Sequence, residues 1–230
     1  MSIFKFGKKI LKGEKKSFSQ SGEDLIMQFI FMWLRIEKPS YIDIGAHHPT
    51  YLSNTFLFYE NGSSGVCIEP DPFLFERICK TRKRDVCLNI GVGEGNSDKA
   101  DFYILSSRTL NTFSREEAQR YASYEGKTIQ KIVEIPLLSI NEIIEKYCPE
   151  VPNFVSIDVE GMDLQILKSF DFKKYCPEVF CIETLTYTED NTEQKLTEII
   201  DYMLSKDYFV YADTYLNSIF VSQAAWNHRK

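Results

Sequence analysis

The sequence predicts a single α/β domain whose seven-stranded, mostly parallel sheet is closed by an antiparallel hairpin and preceded by a helical cap. Three observations predict it. Short continuous apolar runs alternate with segments of helical spacing, as parallel strands buried on both faces do. Two of these runs stop at a carboxylate: Asp43 in YIDIGAHHP (41–49) and Glu69 in GVCIEPDP (65–72). The last two runs, 208–212 and 218–222, are joined by a turn at 213–217 that permits only an antiparallel pair.

The elements follow in order. Ser21, with Asp24 three residues on, has capping-box spacing for a helix to about residue 36. The first strand is 41–45, followed by a helix over 52–60 and a Gly-Ser turn at 62–65. The second strand is 66–69, the next helix 72–82, and the third strand 86–92, closed by GVGEGNSD. Residues 100–136 break the alternation: 100–105 and 131–135 read as strands flanking a polar, mobile insertion, 106–128, that covers or shapes a substrate site. Alternation resumes with a helix at 139–147, strand four at 154–158, a helix at 162–170, strand five at 179–183 and a helix at 192–206. The domain reading is a basic arm at 1–16, a helical cap at 17–40 and the main domain at 41–230.

Composition narrows the function classes. The chain has 230 residues, 43% hydrophobic and 26% charged, as expected of one globular domain with an appendage. No apolar run reaches the roughly 20 residues that span a bilayer, and no signal-peptide core is present, so the expected location is cytoplasmic. Six cysteines without a CxxC pair read as reduced thiols. The net charge of −6 divides into about +5 on residues 1–16 and about −11 on the rest. Ile3, Phe4, Phe6, Ile10 and Leu11 interleave with the lysines of the arm. Such an arm either contacts an anionic membrane face or is a solvated terminus. Nucleic acid is not an expected partner, because the acidic remainder repels phosphate.

Seven short signatures carry a resemblance: SQSGED (19–24), DIGAHHP (43–49), SNT (53–55), IEPDP (68–72), LNT (110–112), IDVEGMD (157–163) and IET (182–184). In order and spacing they resemble the FkbM family of methyltransferases over about residues 17–223. The resemblance implies a Rossmann-like class I methyltransferase fold. It also implies S-adenosylmethionine as cofactor and O-methylation of a hydroxyl on a small-molecule or glycan acceptor, a sugar or glycan intermediate first among them. The alternatives are N-methylation of another small acceptor, or a non-catalytic cofactor-binding or membrane-tethered scaffold. A nicotinamide oxidoreductase fits the first two strands but not the terminal hairpin.

Within that frame, Glu69 at the tip of the second strand is placed to accept both ribose hydroxyls, with Pro70 and Asp71 beside it. Gly45 allows a sharp turn bringing the backbone, with Ala46 and His47, to the amino-acid part of the cofactor. Asp43 reaches its ammonium through a water or a backbone link. His47 and His48 are either site residues or polar turn residues. Asn54 and Thr55 open a helix whose N-terminus can bind a carboxylate. Gln20, Glu23 and Asp24 either cap the first helix or form a lid over the cofactor. Asp158 and Glu160, with His48 nearby, are the catalytic candidates. Three readings stay open for the two carboxylates: base or cofactor contact, a divalent cation site shared with Glu183, or a cap on the following helix.

Overall fold

The structure is a computed structural model and describes residues 15–95 and 97–229. Of the basic arm expected at 1–16, all but Lys15 and Lys16 lie outside the described residues. Along the chain, α1 (Glu23–Leu34) precedes β1 (Tyr41–Ile44), α2 (Phe56–Glu60), β2 (Gly65–Ile68), α3 (Pro72–Thr81) and β3 (Val86–Leu88). Then come β4 (Gly91–Gly93), β5 (Lys99–Leu105), α4 (Arg115–Ala122) and β6 (Ile129–Ser139). The chain continues through α5 (Ile140–Tyr147), β7 (Phe154–Ile157), α6 (Asp163–Ser169), β8 (Val179–Glu183) and α7 (Thr197–Leu204). It ends with β9 (Tyr208–Asp213), β10 (Asn217–Ser222) and α8 (Gln223–Asn227).

Seven strands make the main sheet, in the order β3-β2-β1-β7-β8-β10-β9. The first five in that order are parallel, and β10 runs antiparallel to both β8 and β9. Side-chain alternation explains why the strands read as unbroken apolar runs. Ile42, Ile44, Val155, Ile157, Phe180 and Ile182 pack on one face, under α5, α6 and α7. Phe154, Val179, Cys181, Ile219 and Val221 pack on the other, against Met27, Ile30 and Phe31 of α1.

Five expectations need correction. The third strand is two. The Asn89 side-chain amide donates to the carbonyls of Glu69 (2.8 Å) and Pro70 (2.9 Å), turning the chain off β2 after Leu88. Residues 91–93 restart as β4 in a separate sheet of order β4-β6-β5. The insertion is not an unstructured stretch: it holds a 3-10 turn (Arg108–Leu110) and α4, which close over Tyr103, Leu105, Leu110, Ala118 and Tyr121 as a small core. Finally, α1 lacks the Ser21 capping box. Its N-cap is Gly22 at φ 90°, and the helix stops at Leu34. The helices expected at 52–60 and 192–206 are likewise shorter, at Phe56–Glu60 and Thr197–Leu204.

Against the starts of β1 and β2 and the loop after β1 lies a buried polar network centred on Arg82, whose side chain is 1% exposed. Its Nε donates to Asp85 Oδ2 (2.7 Å), and its other nitrogens donate to the Tyr41 hydroxyl (2.8 Å), Thr55 Oγ1 (2.9 Å) and the Pro49 carbonyl (3.2 Å). Tyr41 in turn donates to both Asp85 oxygens, and the Gly65 N–H donates to Oδ1. One cation thus ties β1, the loop after it, the end of α3 and the start of β3. Removing it leaves the Asp85 carboxylate buried and unpaired. Arg82→Met should therefore cost about 3–5 kcal/mol in urea unfolding; a loss below about 1 kcal/mol would show that the network is peripheral to stability.

Candidate active site

A cavity of about 440 Å³ opens where the parallel strands end, at the sheet edge where α/β folds bind ligands and within the size range of small-molecule sites. Its floor comes from the strand tips: Gly45 and His47 after β1, Glu69 and Pro70 after β2, Asp158 and Glu160 after β7, Glu183 at the end of β8. Gln20 from the cap lines one side. The insertion contributes Phe102, Phe113 and the stretch Arg108–Asn111, and the segment after β8 contributes Tyr187, Asn191 and Glu193.

The turn after β1 is built by close approach. Gly45 has φ 81°, and a Cβ on it would meet the Asp158 carbonyl oxygen at 1.9 Å. The glycine is therefore required for the β1 turn to pack against the end of β7, whatever ligand lies above. Next to it, His47 at φ 47° donates its N–H to Glu69 Oε2 (2.8 Å), while the Asp71 N–H donates to Oε1 (2.8 Å). Glu69 is 4% exposed, and burial pushes its carboxyl up to about 8 despite the two N–H donors. Each oxygen keeps an unused lone pair, and the residue lines the cavity.

Asp158, Glu160 and Glu183 offer oxygens that all lie within 4.8 Å of one another. All three line the cavity, and none is fully buried. Desolvation, reinforced by neighbouring carboxylates, raises Asp158 to about 7 and Glu160 to about 8. Glu183 is held well above the carboxylate range by the same causes, burial first and the neighbouring carboxylates second. Glu160 sits in the left-handed region at φ 53°, followed by Gly161 at φ 97°. Its backbone carbonyl accepts from Thr112 Oγ1 (3.0 Å) and its Oε2 from the Tyr121 hydroxyl (2.7 Å). Neither carboxylate caps α6, whose N-cap is Met162 and carries no side-chain cap bond. A hard divalent cation is compatible with the three oxygens. Asp163 lies 2% exposed nearby, and its Oδ1 has no partner among the described residues.

The other predicted residues do not line the cavity. Asp43 is buried and accepts from Thr55 Oγ1 (2.6 Å), the same hydroxyl that Arg82 contacts. Ala46 is buried in the core. The Asn54 amide donates to Ser156 Oγ (3.1 Å). Asp71 caps α3 through the Phe73 N–H (2.9 Å), accepts from Asn111 (3.0 Å) and pairs with Arg108. His48 points away from the carboxylates: its Nδ1 accepts N–H groups of Thr50 (3.2 Å) and Tyr51 (2.9 Å), and its Nε2 lies 2.8 Å from Arg77.

Glu23 and Asp24 are fully buried staples. Asp24 accepts from the Ser17 and Ser19 hydroxyls and from the Phe18 and Leu25 N–H groups. Glu23 accepts from Thr214 (2.7 Å), Asn217 (3.0 Å) and the Ser21 N–H (2.8 Å). Burial pushes Glu23 up, but these donors outweigh it and the carboxyl ends below its usual value. Sequence reasoning missed Tyr121 and Arg108 because it took the insertion for a loop, and Tyr187 because it lies in the irregular segment after β8. The Ser114–Glu117 spacing in SREE was the available signal, and Ser114 does cap α4 through the Glu117 N–H (3.1 Å).

Raised carboxyls make a pH signature. Folded Asp158, Glu160, Glu69 and Asp163 hold protons that the unfolded chain releases near pH 4, so the folded state binds more protons between the two pKa ranges. Their stability contribution is full below about pH 4 and is lost as pH rises through about 6 to 8. The melting temperature of the ligand-free protein should fall from pH 5 to pH 8, and Glu160→Gln should flatten that slope. A wild-type melting temperature rising over the interval would contradict the assignment.

A family model described as Methyltransferase FkbM domain matches residues 43–210. No curated protein sequence matches the chain. Among solved structures, it is similar to a precorrin-6y C5,15-methyltransferase from Geobacter metallireducens, with 12% identity, a TM-score of 0.43, and coverage of 91% of this chain and 92% of that one. It is also similar to an O-methyltransferase from Bacillus cereus in complex with SAH, with 10% identity, a TM-score of 0.45, and coverage of 95% and 86%. A putative O-methyltransferase from Klebsiella pneumoniae matches at 6% identity and a TM-score of 0.43, over 96% of this chain and 87% of that one.

Proposed function

Since this chain belongs to the FkbM family of S-adenosylmethionine-dependent methyltransferases, we propose that it methylates a hydroxyl, and that the acceptor is a carbohydrate or glycan intermediate. The observation that carries the reading is the placement of Glu160. A sugar hydroxyl does not ionise near neutrality, so oxygen methylation needs a positioned base with a pKa close to working pH. Glu160 meets that need: it is raised to about 8, faces the cavity and has one oxygen held by Tyr121.

The residues fit the cofactor. Glu69 would hold the ribose hydroxyls through its free lone pairs, and the backbone at Gly45–His47 would meet the amino-acid part. S-adenosylmethionine supplies a methyl group activated on a sulfonium. In this reading Glu160 takes the hydroxyl proton, while Asp158 orients the acceptor oxygen. Tyr187, Tyr215, Asn191 and Glu193 on the outer wall offer ring faces and polar groups suited to a sugar. A second reading is favoured by the 4.8 Å grouping of Asp158, Glu160 and Glu183: a divalent cation there would lower the hydroxyl's pKa directly.

Calorimetry with S-adenosylmethionine and S-adenosylhomocysteine, with and without magnesium, followed by mass spectrometry of a neutral-sugar and amine acceptor panel, tests both. Methyl gain on oxygen without metal supports the base reading, and transfer to nitrogen alone would remove it. Glu160→Gln should cut turnover at least about 100-fold with cofactor affinity unchanged; near-wild-type turnover would exclude Glu160 as base. Glu69→Ala should weaken cofactor binding about 10–100-fold, the worth of a charge-assisted hydrogen bond, and an unchanged Kd would take Glu69 out of the site.

A further inference from the structure

We infer that Cys79, on α3, and Cys87, on β3, form a reversible thiol–disulfide couple, and that closing the disulfide acts on the loop that carries Glu69. The second half rests on the reading of Glu69 as the ligand of the cofactor's ribose. The strands supply the geometry. β2 and β3 pair in parallel with Cys67 directly opposite Cys87, so the two side chains leave the same face of strands about 4.8 Å apart. Helix α3 lies over that face: its Ile78 is buried in the same cluster as Cys67, with Cys87 packed against it. Cys79, the next residue of α3, meets Cys87 from the helix side.

The three thiols differ in access and in charge. Cys67 is 1% exposed and lies against Asp85 Oδ2 (3.4 Å), inside the Arg82 network. Cys79 and Cys87 are both half-buried, so an oxidant reaches them and not Cys67. Contact with Cys67 first, and with Cys79 second, holds the Cys87 thiol below its usual range despite burial. Burial first, and Cys87 second, push Cys79 up. The thiolate is the attacking form, so Cys87 is the nucleophile and Cys79 the resolving thiol. With hydrogen peroxide as oxidant, the Cys87 sulfur takes one peroxide oxygen as the O–O bond breaks. The other oxygen leaves as hydroxide and becomes water with the proton that Cys87 released. The Cys79 sulfur then attacks the Cys87 sulfenic acid; the S–S bond forms, the S–O bond breaks, and the departing hydroxide takes the Cys79 proton. Two thiols are oxidised and one peroxide is reduced to two waters.

The disulfide ties two elements that both bear on Glu69. Asn89, two residues beyond Cys87, donates to the Glu69 and Pro70 carbonyls. At the other end of α3, its N-cap residue Asp71 donates its N–H to Glu69 Oε1 (2.8 Å). A disulfide holds its sulfurs about 2.05 Å apart, closer than any noncovalent sulfur contact. Closing it therefore draws α3 and β3 together and shifts the donors that orient Glu69 and its loop.

The test treats the full-length protein with hydrogen peroxide, blocks free thiols with iodoacetamide, digests without reductant and maps the peptides by mass spectrometry. The expected product is a Cys79–Cys87 linked peptide, reversed by dithiothreitol, with the exposed Cys176 free of disulfide. Cys79→Ser should stop at the Cys87 sulfenic acid, trapped by dimedone, and Cys87→Ser should give no link. Unlinked Cys79 and Cys87 in the oxidised wild type, or a Cys67–Cys87 link in their place, overturns the couple. Calorimetry on the same samples reads the second half. S-adenosylmethionine should bind the oxidised wild type about tenfold more weakly, the worth of one charge-assisted hydrogen bond. Dithiothreitol should restore the affinity, and peroxide-treated Cys87→Ser should match its untreated form. Equal Kd values for oxidised and reduced wild type overturn the action on Glu69. If the reduced protein binds no S-adenosylmethionine, the cofactor reading fails and takes the second half with it, while the peptide map still decides the couple.

Discussion

The Arg82 cluster is the constraint on which the site depends. A guanidinium taken from water is stable only when its donors are met, and here they are met by Asp85, Tyr41, Thr55 and the Pro49 carbonyl. Those partners belong to four segments: the start of β1, the loop after it, the N-cap of α2 and the residue before β3. Hydrogen bonds are directional, and these fix Tyr41, the first residue of β1, and Gly65, the first of β2, against Asp85. Through Thr55 the cluster reaches Asp43, directly below the turn at Gly45. The strand below the cavity floor is thus joined to the buried network through Thr55 and Asp43.

Above that floor the chemistry is one-sided. Glu69, Asp158, Glu160, Glu183 and Glu193 line the cavity, and its one lining arginine, Arg108, is paired with Asp71. Crowded carboxyls resist ionising together, and Asp158, Glu160 and Glu183 are all shifted upward. A positively charged ligand group would relieve this crowding. S-adenosylmethionine carries such a group in its sulfonium, so the acidity of the site and the family's cofactor are mutually consistent.

The fold was legible where periodicity or turn length forced it. Strands such as Val179–Glu183, buried on both faces, leave an uninterrupted apolar run, and the connection between β9 and β10 allows one arrangement only. The break at Asn89 was not legible, because the run Leu88, Ile90, Val92 continues through it; a side-chain amide turns the chain, and no periodicity records that. The short signatures were legible as a set, but their individual roles were not. In SNT, LNT and IET the polar residues mostly link segments to one another: Asn54 to Ser156, Asn111 to Asp71, Thr112 to Glu160, Thr184 to Ser218. A motif reports that a residue matters without saying whether it meets a ligand or a neighbouring loop. Glu160 could be read from its place after a strand, whereas Tyr121 came into view only once α4 was folded beside it.

The staple made by Glu23 has a consequence for how the protein is made. Its partners, Thr214 and Asn217, lie 191 and 194 residues further along the chain. Domains begin to form while the ribosome is still adding residues, and here the cap has no seat until the hairpin has emerged. A nascent chain ending before residue 214 can pair β1, β2, β3, β7 and β8, but it must leave the Glu23 carboxylate without those two donors and Gln20 without its position at the cavity. Completion of the cavity wall at Gln20 therefore waits on a hairpin near the far end of the sequence, which seats the cap through Glu23.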